Sequence, residues 1–238
     1  MDKKAFLISS SAKNTATPIL GTLKDIENMK YFLTSLKGGA WYDSEIWMKD
    51  EPSNDDIINI QNYSGDYSLV FIASHGFHNI ETNEQYVELN GNRRFPLSCF
   101  FTKAKKQLII VDACREYYDY NIYENFSKST EAVKQNSANN IVKLYRNKYH
   151  NCINDCSDGN IIVYSTDINN VANENKNKGG LFTSELINVA KNNSESVMNI
   201  KEAVIHVRKN FETCNINQHP TIDSVRRAKY FPFSININ

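Results

Sequence analysis

Two runs of this chain are short and apolar at nearly every position: Ser68-Leu69-Val70-Phe71-Ile72-Ala73 and Gln107-Leu108-Ile109-Ile110-Val111. A strand with one wet face alternates polar and apolar residues. A continuous β-branched run of this length suits a strand covered on both faces, as in a parallel sheet. Lys4 to Ser9 and Asn160 to Ser165 read the same way, and Glu45 to Met48 is a weaker fifth candidate.

Helical patterns lie between these runs. Thr22 to Lys37 places Leu23, Ile26, Met29, Leu33 and Leu36 on one face, with Thr22 to cap its start and Gly38-Gly39 to end it. Ser53-x-x-Asp56 is a capping pattern that opens a helix to Asn62. Asn139 to Tyr149, Phe182 to Ala190 and Ile200 to Phe211 complete the set. Strands alternating with helices predict a mostly parallel α/β sheet covered on both faces. Tyr86 to Leu89 and Arg93 to Phe95, joined by Asn90-Gly91-Asn92, predict a small hairpin outside it. The polar stretches Ser127 to Asn140 and Asn169 to Lys178 read as mobile surface loops. One domain over residues 1–238 is expected.

Charge and composition exclude some classes. The 27 basic and 27 acidic residues cancel, so no general electrostatic hold on nucleic acid or an anionic membrane is expected. Hydrophobic residues make up 41% of the chain, enough for a core, yet no run approaches the ~20 residues of a membrane span. The start, Met1-Asp2-Lys3-Lys4, leads into only a brief apolar stretch, so the expectation is a cytoplasmic protein without a signal peptide. Five cysteines at irregular spacing argue for reduced thiols rather than a disulfide framework.

The chemistry lies at two strand ends, since parallel sheets bind ligands at the carboxyl ends of their strands. One strand runs into Ala73-Ser74-His75-Gly76 and another into Asp112-Ala113-Cys114-Arg115. If these strands are neighbours, an imidazole and a thiol emerge together as base and nucleophile. The N–H groups of Gly76 and Cys114 could then hold an oxyanion. Taken alone, Cys114 is equally a small buried hydrophobe, and His75 a surface or core histidine.

A strand ending in His-Gly followed by one ending in Asp-Ala-Cys-Arg resembles the caspase-like cysteine peptidases, the clan of caspases, metacaspases and paracaspases. The His75–Cys114 separation of 39 residues suits that pattern. Leu20-Gly21-x-x-x-Asp25-x-x-Asn28-Met29 is similar to the first helix of metacaspase-type domains. Ala172-x-Glu174 with Gly179-Gly180-Leu181-Phe182-Thr183 is similar to the segment after their fourth strand, and Gln218-His219-Pro220 to their C-terminal Gln-x-Pro. The resemblance implies a three-layer sandwich with about six strands and a Cys114–His75 dyad acting through an acyl-enzyme. It also implies a first specificity pocket lined by Asp112 and Asp25, hence cleavage after Arg or Lys. Asp25 also fits a capping role three residues after Thr22, and Asp112 a structural acid bonded to backbone N–H groups. Glu116 departs from the family, which has Gly there.

A protein substrate follows from the resemblance, with an activating partner in trans and calcium as candidate regulators. The chemistry itself requires no cofactor or metal. His150, Cys152 and Cys156 fit no common zinc spacing. His78 and His219 read as surface or structural, Arg115 as a salt-bridge residue, and the basic residues of 128–148 as a solvated face or a self-processing site. An inactive or partner-gated binding module with the same fold is the competing reading. A nucleotide-binding α/β protein is set aside, because Ser9 to Thr15 contains no glycine.

Overall fold

The computed structural model describes residues 1–13, 15, 17–89, 93–117, 140–175 and 179–237. In chain order the strands are β1 (Lys3–Ser9), β2 (Ile46–Asp50), β3 (Tyr67–Ala73), β4 (His75–Asn79), β5 (Glu84–Leu89), β6 (Arg93–Pro96), β7 (Lys106–Asp112), β8 (Gly159–Tyr164), β9 (Glu174–Asn175), β10 (Gly179–Gly180), β11 (Val197–Asn199), β12 (Thr221–Ser224) and β13 (Pro232–Ile235). The helices are α1 (Gly21–Thr34), α2 (Asn54–Asn62), α3 (Asn140–Asn154), α4 (Leu181–Lys191) and α5 (Ile200–Thr213).

The central sheet has the order β12-β8-β7-β3-β1-β2. Its inner pairs are parallel, and only β12 runs antiparallel, against β8. The continuous apolar runs are the central strands, as expected. Successive side chains alternate between two cores. Ala5, Leu7, Leu69, Phe71, Leu108 and Ile110 face α1, α3, α4 and α5. Phe6, Ile8, Val70, Ile72, Ile109 and Val111 face α2 and the β5–β6 hairpin. The result is a helix–sheet–helix sandwich, with α2 and a small three-stranded sheet forming the thinner layer.

Several element ends differ from the sequence reading. Helix α1 begins at Gly21 with Leu20 as N-cap, because the Thr22 hydroxyl donates to the Ile19 carbonyl instead of capping. It stops at Thr34, ahead of the glycines: the Ser35 hydroxyl donates to the Phe32 carbonyl at 2.6 Å and accepts from the Gly38 N–H. Gly39 then turns the chain with φ of +100°. The Ser53/Asp56 capping box on α2 is present as read. Residues 75–79 form a strand, β4, that pairs with β5 and extends the hairpin to three strands. Strand β12 went unread, since Thr221-Ile222-Asp223-Ser224 is a short polar edge. The Asn90-Gly91-Asn92 turn lies outside the described residues, as do 127–139 and 176–178 of the two loop segments. The part of the basic stretch from 140 to 148 is the first half of α3. Among the described residues no helix is long and apolar enough to cross a membrane.

Candidate active site

Strands β3 and β7 are neighbours and run parallel, with Ala73 level with Asp112. Beyond the sheet, the Ser74 N–H donates to the Asp112 carbonyl. Further along, the His78 N–H donates to the Glu116 carbonyl, and His78 bridges Tyr117. The offset of 39 residues thus holds on both sides of His75 and Cys114, which places them side by side at the carboxyl edge of the sheet.

The His75 imidazole has a defined orientation. Its Nε2 lies 2.6 Å from the Thr17 carbonyl oxygen. A carbonyl can only accept, so the proton in this contact sits on Nε2. The Thr17 carbonyl thereby fixes the orientation of the ring. Nothing in the sequence marks it, because it acts through its backbone.

Cys114 is half-buried, and its thiol is bracketed by one residue. The Ala172 N–H reaches Sγ at 3.4 Å, and Sγ lies 3.8 Å from the Ala172 carbonyl. Burial pushes the thiol above the ordinary range. The Ala172 N–H opposes this, while the Glu116, Asp112 and Glu174 carboxylates reinforce it. Segment 169–173, read as a mobile loop, is laced to the residue after Cys114: the Arg115 N–H donates to the Asn170 carbonyl, and the Asn169 N–H to that of Arg115. Buried Gln218 accepts from the Asn173 N–H and donates to the Ser165 carbonyl, which ties the segment to β8.

On the other side the hairpin presses on the Ala113–Cys114 backbone. A Cβ on Gly76 would lie 2.7 Å from the Tyr86 carbonyl and 2.9 Å from the Ala113 Cβ, so only glycine lets the chains meet there. Gln85, fully enclosed, donates to the Cys114 carbonyl at 3.0 Å and accepts from Arg115 Nε at 3.1 Å. Among the described residues the contacts of Arg115 are to a ring and to uncharged oxygens rather than to a carboxylate. Its guanidinium lies 3.9 Å from the centre of the Tyr164 ring and reaches the Thr166 carbonyl and Thr221 hydroxyl. Sequence reasoning missed Gln85, because a glutamine inside a strand gives no signal of what it will touch.

Asp25 and Asp112 do come together. Asp25 is 2% exposed and accepts the Gly180 N–H on both oxygens, at 2.8 and 2.9 Å. Asp112 accepts from the Thr183 N–H at 3.2 Å and the Thr183 hydroxyl at 2.6 Å. A Cβ on Gly180 would lie 2.3 Å from one Asp112 oxygen and 3.3 Å from one of Asp25, so both carboxylates close on this one residue. Asp25 takes no part in capping its own helix. Burial, then the nearby Asp112 charge, pushes its carboxyl up to about 8; burial raises Asp112 as well.

The remaining candidates fall elsewhere. His78 is buried in the hairpin layer, with Nε2 3.2 Å from the Asn83 side-chain oxygen. His219 is exposed, 3.9 Å from Asp167. The Cys156 thiol donates to the Cys152 and Tyr230 carbonyls, and burial lowers His150 to about 4. Among the described residues, no three possible ligands gather to hold a metal ion.

Comparison with known proteins adds two findings. The sequence profile of the caspase domain matches residues 2–232. Among solved structures, caspase-1 from Spodoptera frugiperda superposes with a TM-score of 0.61 at 14% identity, over 95% of this chain and 88% of that one. No curated protein sequence matches.

Proposed function

The chain belongs to the caspase-domain family of cysteine peptidases, and from that premise we propose that it cleaves protein substrates after Arg or Lys, with Cys114 as nucleophile and His75 as base. The observation that carries the specificity is the meeting at Gly180 of Asp25 with Asp112, which lies two residues before Cys114. Two carboxylates in one enclosure suit a cation with several N–H donors, and arginine offers five.

The steps follow from the positions. Nδ1 of His75 takes the Cys114 proton, and the thiolate attacks the scissile carbonyl carbon. The N–H groups of Gly76 and Cys114 receive the oxyanion. His75 returns its proton to the leaving amine, which leaves a thioester on Cys114. Water, deprotonated by His75, then releases the acid and restores the thiol. The whole chain works as one peptidase domain. The chemistry needs no cofactor; calcium and a protein partner enter as candidate activators.

Fluorogenic peptides ending in Arg, Lys or Asp, with and without calcium, beside a Cys114→Ala control, test this reading. Cleavage after Arg or Lys, absent in the control, is the expected result. Cleavage after Asp would remove the roles given to Asp25 and Asp112. No cleavage under any condition would favour the partner-gated module.

A further inference from the structure

The two parts of the site that should meet substrate are already satisfied by a single stretch of this chain. Ala172 supplies an N–H and a carbonyl to the Cys114 thiol. Gly180 supplies a forked N–H to Asp25, and Thr183, at the start of α4, gives two donors to Asp112. A guanidinium in this pocket would offer the same kind of donors to the same oxygens.

Space gives the same answer. Asp25 is 2% and Asp112 6% exposed, and the Gly180 backbone lies against both. A Cβ on Gly179 would sit 2.2 Å from Asp25, and Gly179 has a φ of +93°, which side-chain-bearing residues rarely adopt. This close approach requires the Gly-Gly pair. The contacts at the thiol and at the acids are also mechanically joined: Glu174 pairs with Gly180 in the β9–β10 ladder, and the Leu181 N–H donates to the Asn173 carbonyl at 2.8 Å. Pulling Gly180 away from the carboxylates therefore pulls on Ala172.

We propose that Ala172–Glu174 and Gly179–Gly180 form an internal strap that keeps the peptidase latent, and that a cationic side chain must displace Gly180 from Asp25 and Asp112 before the thiol is released. The proposal rests on the acidic-pocket reading and adds to it a defined competitor inside the same molecule. On this proposal the pocket and the nucleophile open together or not at all.

The test uses the full chain and methylguanidinium, a cation small enough to leave Cys114 uncovered. Calorimetry measures its binding to the wild type and to Asp112→Asn. Amide hydrogen exchange then reads Ala172 and Gly180 at saturating cation. The expected result is binding that Asp112→Asn abolishes, with exchange at both amides faster by about tenfold or more. Gly180→Ala, whose Cβ cannot share space with Asp112, should bind the cation more tightly than the wild type and expose Cys114 to iodoacetamide without it. Binding with unchanged exchange would overturn the strap and leave the acidic pocket standing. No binding to the wild-type chain, together with unchanged exchange, would overturn the strap; Arg-ended peptide cleavage would still report on the pocket independently. The wild-type measurements decide the matter even if Gly180→Ala does not fold.

Discussion

Replacing Asp25 with Asn should make the protein more stable and less active. The Asp25 carboxyl is raised from 3.8 to about 8, first by burial and then by the Asp112 charge. A group raised in the folded state stabilises fully below its unfolded value, and that stability is lost as pH climbs through the folded value. Between pH 5 and 7 the folded chain keeps the proton while the unfolded chain has released it. Stability then falls by one proton's worth, about 1.4 kcal/mol per pH unit, or about 2.7 kcal/mol across the window. This slope depends only on the window lying between the two values. Asn has no proton to lose, yet can still accept from the Gly180 N–H. The variant should therefore gain on the wild type by about that amount from pH 5 to 7. Urea unfolding followed through the buried Trp41 measures the difference. The same variant should lose cleavage after Arg, because one charge-assisted hydrogen bond, about 1.5–3 kcal/mol, is worth roughly ten- to a hundredfold in kcat/KM. Higher stability with lower activity marks a residue kept for function. A stability difference that stays flat with pH would show Asp25 ionised in the folded chain and refute the paired-carboxylate argument.

Two other changes probe the frame around the site, and a third the opposite edge of the sheet. Gly76→Ala drives a Cβ to 2.7 Å from the Tyr86 carbonyl, so overpacking should cost about 1–3 kcal/mol and lower kcat as the hairpin backs away from Cys114; an unshifted thermal midpoint would deny the hairpin's close seat on β7. Gln85→Ala leaves the buried Arg115 Nε without its acceptor and frees the Cys114 carbonyl, at a cost of about 1–3 kcal/mol, with the loss expected in kcat more than in KM; equal losses in both would argue against a positioning role. Lys3 is enclosed 3.7 Å from the centre of the Trp41 ring and lowered to about 7, chiefly by burial, so Lys3→Met should be the more stable protein at pH 7 and its lead over the wild type should shrink from pH 7 to 9; a difference that does not change with pH would show the ammonium retained beside Glu45.

What could be read from the sequence was whatever a period or a strand end announces. The four continuous runs became β1, β3, β7 and β8, since a run apolar on both faces has few other uses. The same logic put His75 and Cys114 at one edge, because the strands carrying them differ by a fixed register. The edge strand β12 was lost because its residues are polar and short. The charge of Arg115 suggests an ion pair, whereas the described residues around it offer a ring face, a glutamine, a carbonyl and a hydroxyl.

The partners of the two acids show where such reading stops. Asp25 and Gly180 are 155 residues apart, and the bond between them is made by a backbone N–H, which every residue except proline possesses. No side-chain pattern can announce that partner. The reading from the residues allowed two uses for Asp112, a specificity wall or a backbone-bonded acid, and treated them as rivals. Under the proposed specificity they share the same oxygens: the Thr183 donors sit on the Asp112 carboxylate that a substrate cation would use. A structural contact and a recognition contact can use one carboxylate in turn, and only displacing the first tells how strongly the second is held.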